Sequence, residues 1–192
     1  RVTTLDHRET APAAAHRDMY LDSAGDVIKD LSTASHLAAG VPGSVDGLLT
    51  LLEAHGSLPR ELVMAPAIRL AQEGFVLSWY RARNINSQID KMRRYPASVK
   101  KFTNNGAPFI AGDRWIQKDL AKTLRLISKK GKQGFYEGSV ARMIVKEMQR
   151  GGGIITAADL KNYTSVWRDP VKGSYRGYDI WGMGPPSSGG VL

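Results

Sequence analysis

The chain is 192 residues long, 42% hydrophobic and 23% charged, the make-up of an ordinary soluble globular protein with room for one domain and a core. It has no cysteine, which excludes disulfides, thiolate catalysis and cysteine metal sites, and no apolar run near the ~20 residues of a membrane-spanning helix. The formal charge of +9 bears on solubility and non-specific attraction to anions, and does not by itself imply nucleic acid.

In chain order, Val2 to Leu5 predict a short strand that runs into Arg8 and Glu9. Asp22-Ser23-Ala24-Gly25-Asp26 is a turn, and Gly40-Val41-Pro42-Gly43-Ser44 punctuates the chain before a helix carrying Val45, Leu48, Leu49 and Leu52 at helical spacing, with Gly56 as its stop. A second helix fits Glu61 to Glu73, where Pro66 predicts a kink or a later start. Ser78 to Arg94 is helical but polar and ends at Pro96. Phe102 to Gly112 is a loop-rich connection with a turn at Asn104-Asn105-Gly106.

Two further helices follow, Lys118 to Lys130 and Ser139 to Arg150, each with basic residues in its last turn and a glycine after it. Thr156-Ala157-Ala158-Asp159 resembles a capping box that starts a short helix through Asn162. Val171 to Tyr175 and Tyr178 to Trp181 predict two strands joined at Arg176-Gly177, and Pro185 to Gly190 is a loop. The expectation is a helix-rich run bracketed by strands, one α/β-containing domain over residues 1–192. With Arg1 first, no leader after it, and an apolar run beginning at Gly190-Val191-Leu192, both ends are expected to be cut.

The basic clusters are Lys91, Arg93, Arg94, Lys100 and Lys101, then Lys129, Lys130 and Lys132. Tyr95 and Phe102 flank the first, but no nucleic-acid module accompanies them, so a solvated face is the expectation and no nucleic-acid partner is assigned. The histidines His7, His16, His36 and His55 form no ligand pair at i, i+4, and there is no His-Glu-x-x-His, Walker loop or Gly-x-Gly-x-x-Gly. No metal and no cofactor are assigned. Ser44 and Ser187-Ser188 lie near glycines without fitting a Gly-x-Ser-x-Gly elbow; a helix cap accounts for the first and a tight turn for the others.

Arg8 stands out from these. A guanidinium presents a rigid fork of donors that matches a carboxylate, and here it sits where a strand gives way to a proline-bearing segment, with Asp6 and Glu9 beside it to orient or balance it. Chemistry alone leaves open a substrate carboxylate or a structural ion pair.

Asp6-His7-Arg8-Glu9-Thr10-Ala11-Pro12, followed by Arg17-Asp18-Met19-Tyr20-Leu21-Asp22, resembles the arginine-bearing segment of γ-glutamyltransferases, also called γ-glutamyl transpeptidases or glutathione hydrolases. The resemblance continues through Ser35-His36-Leu37-Ala38-Ala39-Gly40-Val41-Pro42-Gly43, Pro66-Ala67, Leu70-Ala71, Gly74-Phe75, Asp119-Leu120-Ala121, Phe135-Tyr136-Glu137-Gly138, Gly153-Ile154-Ile155-Thr156 with Asp159-Leu160, Tyr175-Arg176-Gly177-Tyr178 and Pro185-Pro186-Ser187-Ser188-Gly189-Gly190. These blocks cover nearly the whole chain, and their order makes the set specific. Gly184-Pro185-Pro186 stands where the family commonly has three prolines, which alters loop stiffness.

The resemblance implies a precursor (a zymogen) that cleaves itself into a large and a small subunit, together forming the four-layer αββα sandwich of N-terminal-nucleophile (Ntn) hydrolases. The new N-terminal threonine of the small subunit attacks the γ-glutamyl amide with its own α-amine as base, and the acyl group passes to water or to an amino-acid or peptide amine. This chain is similar to an interior part of the large subunit, so it carries no catalytic residue and is expected to be inactive alone. By the same resemblance Arg8 binds the α-carboxylate of the γ-glutamyl group and Glu9 supports it. The implied partners are glutathione or another γ-glutamyl compound and the small subunit, and the implied location is periplasmic or secreted. A cephalosporin or glutaryl acylase of the same superfamily is the near alternative, and a non-catalytic basic binding module the distant one.

Overall fold

The computed structural model describes residues 2–190. Its elements in chain order are β1 (Thr4–Asp6), α1 (Leu31–Ala34), α2 (Ser44–His55), α3 (Arg60–Glu73), β2 (Phe75–Val76), α4 (Trp79–Asn86), α5 (Ile89–Met92), α6 (Pro96–Phe102), β3 (Arg114–Trp115), α7 (Lys118–Lys130), α8 (Gln133–Tyr136), α9 (Gly138–Gly151), α10 (Ala157–Asn162), β4 (Val166–Arg168), β5 (Val171–Tyr175) and β6 (Tyr178–Gly182). The helix-rich α/β character expected from the sequence is what the chain adopts. Its strands form three two-stranded antiparallel sheets among the described residues, β1–β4, β2–β3 and β5–β6. The chain divides into two compact units, one of Arg1–Leu58 with Lys130–Leu192 and one of Pro59–Lys129.

In the first unit, α9 presents Ala141, Ile144, Val145 and Met148 along one stripe, and this face builds a core with Val41, Tyr136, Ile155, Leu160 and Tyr163. Gly152, at φ 74°, closes the helix by donating its N–H to Met148. The His36 ring is hooked onto the end of α9, its Nε2 2.8 Å from Glu147 Oε1. Arg150 and His36 together pull the Glu147 carboxyl down to about 2. A side chain at Gly151 would occupy the space of that ring, and one at Gly153 would run into Met148 Sδ and the His36 carbonyl.

The short helix α10 begins with the expected capping box: Thr156 Oγ1 accepts from the Asp159 N–H, and the Asp159 carboxylate accepts from the Thr156 N–H. Strand β1 pairs with β4, setting Leu5 opposite Trp167 and Asp6 opposite Val166. The hairpin β5–β6 turns at Arg176 and Gly177, both at positive φ as a tight hairpin turn requires. Tyr175, Tyr178, Ile180 and Trp181 on it are exposed.

The second unit corrects several expectations. Helix α3 runs from Arg60 through Pro66 to Glu73, so of the two expectations the later start is not taken. Pro66 has no N–H for the Leu62 carbonyl, and Leu62 is exposed, so water can take that acceptor. The helical stretch expected over 78–94 is interrupted between α4 and α5. There Asn86 exchanges two hydrogen bonds with the Phe109 backbone, and Ser87 Oγ donates to the Asn84 carbonyl, so side chains compete with the helix ladder. Pro96 does more than end a helix: it occupies the first turn of α6, where its missing N–H costs nothing. Leu77, Ala82 and Phe109 form this unit's core, flanked by Phe75, Ile85 and Trp115.

Candidate active-site segment

Arg8 lies on a span tied at both ends. Before it, β1 is paired to β4 as far as Asp6. After it, Thr10 and Val41 exchange backbone hydrogen bonds of 3.3 and 2.8 Å. Residues 7–9 between these ties have no ladder partner, so other groups must satisfy their backbone. The Arg8 N–H donates to Asp6 Oδ1 at 3.2 Å, and the Arg8 carbonyl accepts from the Tyr163 hydroxyl at 2.7 Å.

Asp6 serves two neighbours. Its Oδ2 accepts from Arg168 Nε at 2.8 Å while Oδ1 takes the Arg8 N–H. The Arg168 hydrogen bond, then that from Arg8, hold the Asp6 carboxyl below the usual carboxylate range. It therefore stays ionised to lower pH than an ordinary carboxylate.

The Arg8 side chain is 57% exposed. Its Nε donates to Glu9 Oε1 at 3.3 Å, and one terminal nitrogen donates to the Pro186 carbonyl, also at 3.3 Å. Among the described residues these contacts use two of the five N–H donors of a guanidinium. Both are long, and the Glu9 pair is open to water, so each contributes little and yields readily to a better acceptor. Glu9 is itself seated against Gly40, where an added Cβ would come within 2.9 Å of its Cγ.

The contact to Pro186 joins two segments that the sequence separates by 178 residues. The Pro185-Pro186-Ser187-Ser188 loop thus stands beside the Arg8 guanidinium. Within it, Ser187 donates its N–H to Gly184 and its Oγ accepts from Gly189, the expected tight turn. Ser44 is not a cap: Gly43 holds that position and Ser44 begins the helix.

Three features here have no sequence motif. Asp46, 1% exposed in α2, accepts from Lys132 Nζ at 2.6 Å and from the Ser165 N–H and hydroxyl at 2.8 and 2.6 Å. Burial alone would raise its carboxyl, but Lys132 and Ser165 outweigh burial and hold it low. Tyr136 donates to the Pro42 carbonyl at 2.7 Å and accepts from the Asp46 N–H at 3.1 Å. Its ring lies parallel to that of Tyr163, 4° apart in plane, with centroids 5.8 Å apart.

A separate groove of about 390 Å³ is lined by Thr3, Ala54, His55, Trp167, Arg168 and Asp169. Arg8 does not line it. Among the described residues no group of three His, Asp or Glu is arranged to hold a metal ion, and no helix is long and apolar enough to cross a membrane.

The sequence model of the gamma-glutamyltranspeptidase family matches residues 1–192. The glutathione hydrolase proenzyme of Pseudomonas sp. (strain A14) is 47% identical over all of this chain and 34% of its own length. The acylase ACY 1 proenzyme of Pseudomonas sp. (strain V22) is 37% identical over all of this chain and 35% of its own. The crystal structure of Helicobacter pylori gamma-glutamyltranspeptidase superposes with a TM-score of 0.96 at 45% identity, covering 98% of this chain and 54% of that one. The chain spans about a third of the length of the curated relatives it matches. The match over the entire chain shows that the chain belongs to the gamma-glutamyltranspeptidase family.

Proposed function

We propose that this chain is the substrate-holding and scaffold section of the large subunit of a γ-glutamyltransferase, and that Arg8 binds the α-carboxylate of the γ-glutamyl group. The observation that carries this is an exposed guanidinium on a backbone fixed by Asp6 and Tyr163, with two long contacts on its side chain among the described residues. Glu9, bonded to Arg8 Nε, limits how the guanidinium turns and is a supporting residue. Residues 1–192 act as one partial domain.

In the complete enzyme the N-terminal threonine of the small subunit attacks the γ-carbonyl carbon, and its α-amine takes the hydroxyl proton. That proton passes to the departing amine of glutathione or another γ-glutamyl compound. Water or an amino-acid or peptide amine then takes the acyl group from the ester. The exposed apolar hairpin β5–β6 is the edge of a sheet that the rest of the precursor completes into the four-layer αββα sandwich. The enzyme works in the periplasm or outside the cell, needs no cofactor or metal, and engages no nucleic acid.

Arg8→Ala in the full-length enzyme tests the assignment. Two charged hydrogen bonds are lost, so KM for a γ-glutamyl anilide rises roughly a hundredfold or more while self-cleavage proceeds. Unchanged glutathione kinetics would overturn the role.

The similarity to an acylase supports a second reading, since an arginine suits any acyl group that bears a carboxylate. Turnover of a glutaryl-cephalosporin in preference to a γ-glutamyl anilide by the full enzyme would favour it.

A further inference from the structure

The Arg8 side chain is poorly held, yet a carboxylate-binding guanidinium has to be well placed, because a misplacement of about 1 Å can cost on the order of a hundredfold in rate. Its side-chain contacts, both 3.3 Å and open to water, do not supply that accuracy. The backbone beneath it does. Of the two hydrogen bonds on the Arg8 peptide groups, the one from Tyr163 Oη is the shorter, 2.7 Å against 3.2 Å.

Tyr163 is itself built in. It is 8% exposed and caps the end of α10, donating its N–H to Leu160. Its ring lies flat against Tyr136, whose hydroxyl is pinned between the Pro42 carbonyl and the Asp46 N–H. Two residues on, Ser165 is locked to the buried Asp46 carboxylate by both its N–H and its hydroxyl. On the other side Gly43 leaves no room for a side chain, since a Cβ there would overlap both the Tyr163 hydroxyl and the His7 carbonyl. The phenol therefore has one place to be.

It also stays a donor. Burial first, then the negative charges of Asp46, Asp6 and Glu9, push the Tyr163 hydroxyl above its usual range, so it remains protonated across any working pH.

We infer that Tyr163 is the positioning residue for Arg8: its hydroxyl fixes the Arg8 carbonyl and thereby sets where the guanidinium meets the substrate's α-carboxylate. This rests on the role of Arg8 proposed above. Tyr163 touches no reacting atom and acts only through Arg8.

The experiment is a cross of Tyr163→Phe with Arg8→Ala in the full-length enzyme, reading KM and kcat for a γ-glutamyl anilide, self-cleavage and thermal unfolding. Tyr163→Phe alone is expected to raise KM roughly tenfold with kcat within about threefold, because the bond it removes orients substrate without taking part in the chemistry. In the Arg8→Ala background the same change is expected to have no further effect on kcat/KM. A merely structural role would instead lower kcat/KM by the same factor in both backgrounds, and that result overturns the inference. If Arg8→Ala raises KM and Tyr163→Phe does not, the positioning role falls while the role of Arg8 stands. If Arg8→Ala leaves KM unchanged, the role of Arg8 falls and takes this one with it. Should Tyr163→Phe fail to self-cleave, Tyr136→Phe, which loosens the stacked ring while keeping the Tyr163 hydroxyl, is crossed in its place. It is expected to give a smaller rise in KM that again vanishes with Arg8→Ala, and an equal effect in both backgrounds refutes the inference.

Discussion

Lys132 reaches Asp46 with Nζ 2.6 Å from Oδ1, although the carboxylate is 1% exposed and the lysine side chain 42%. An isolated carboxylate in that position would be costly, and the lysine lets it remain charged while keeping its own head partly in water. The charged Asp46 in turn accepts from both the N–H and the hydroxyl of Ser165.

Lys132→Met should therefore destabilise the protein by about 1–3 kcal/mol at neutral pH, less than the loss of a fully buried partner because Ser165 still holds the carboxylate. The pH dependence has a definite sign. The Asp46 carboxyl is held below its ordinary range in the folded protein, so in acid the unfolded chain takes up its proton first and stability falls as pH drops through and below about 4. The variant loses the Lys132 part of that depression and keeps the Ser165 part, so the gap between the two proteins should narrow in the same window. Urea unfolding of both at pH 7 and at about pH 3 checks this, and a gap that stays constant would contradict it.

Gly43→Ala should be among the most damaging single-methyl additions in the chain. The new carbon would overlap the Tyr163 hydroxyl and the His7 backbone, and a backbone atom cannot swing aside as a flexible side chain can. A loss of about 3 kcal/mol or more is expected. Gly173→Ala is the control: nothing lies within 4 Å of its added Cβ, so it should be within about 0.5 kcal/mol of the parent. Thermal unfolding of the pair reads the contrast directly.

Local pattern made much of this legible. The apolar stripe of α9, the stop at Gly56, the Thr156–Asp159 box and the turn at Arg176-Gly177 are each encoded within a few residues, and each forms as the sequence predicts. Arg8 stood out as a candidate through its neighbours and the family resemblance, and its role is the proposal made above. What was not legible joins distant residues. Strand β1 finds β4 across about 160 residues, and Tyr163 finds Arg8 across 155. No period or spacing announces such pairs. Asp46 reads in sequence as one acid in the first turn of a helix, a common surface position, and only packing shows it buried. Pro96 carries a different lesson. A proline that cannot continue one helix is well suited to begin the next, and the pattern alone does not say which role it takes.

The capping box at α10 separates a local from a long-range contribution. Thr156→Ala removes the acceptor for the Asp159 N–H and should cost about 1 kcal/mol, the usual value of a lost N-cap. Asp159→Ala should cost more, because Oδ1 also accepts from the Ala13 N–H at 2.8 Å while Oδ2 serves Thr156. Its loss therefore leaves an exposed loop and a helix start unsatisfied together, for a total of about 1–2 kcal/mol. The two contributions can be told apart by hydrogen exchange. Thr156→Ala should speed exchange at the start of α10 alone, whereas Asp159→Ala should speed it there and at Ala13. Equal exchange at Ala13 in both variants would mean that the Asp159 contact does not hold that loop.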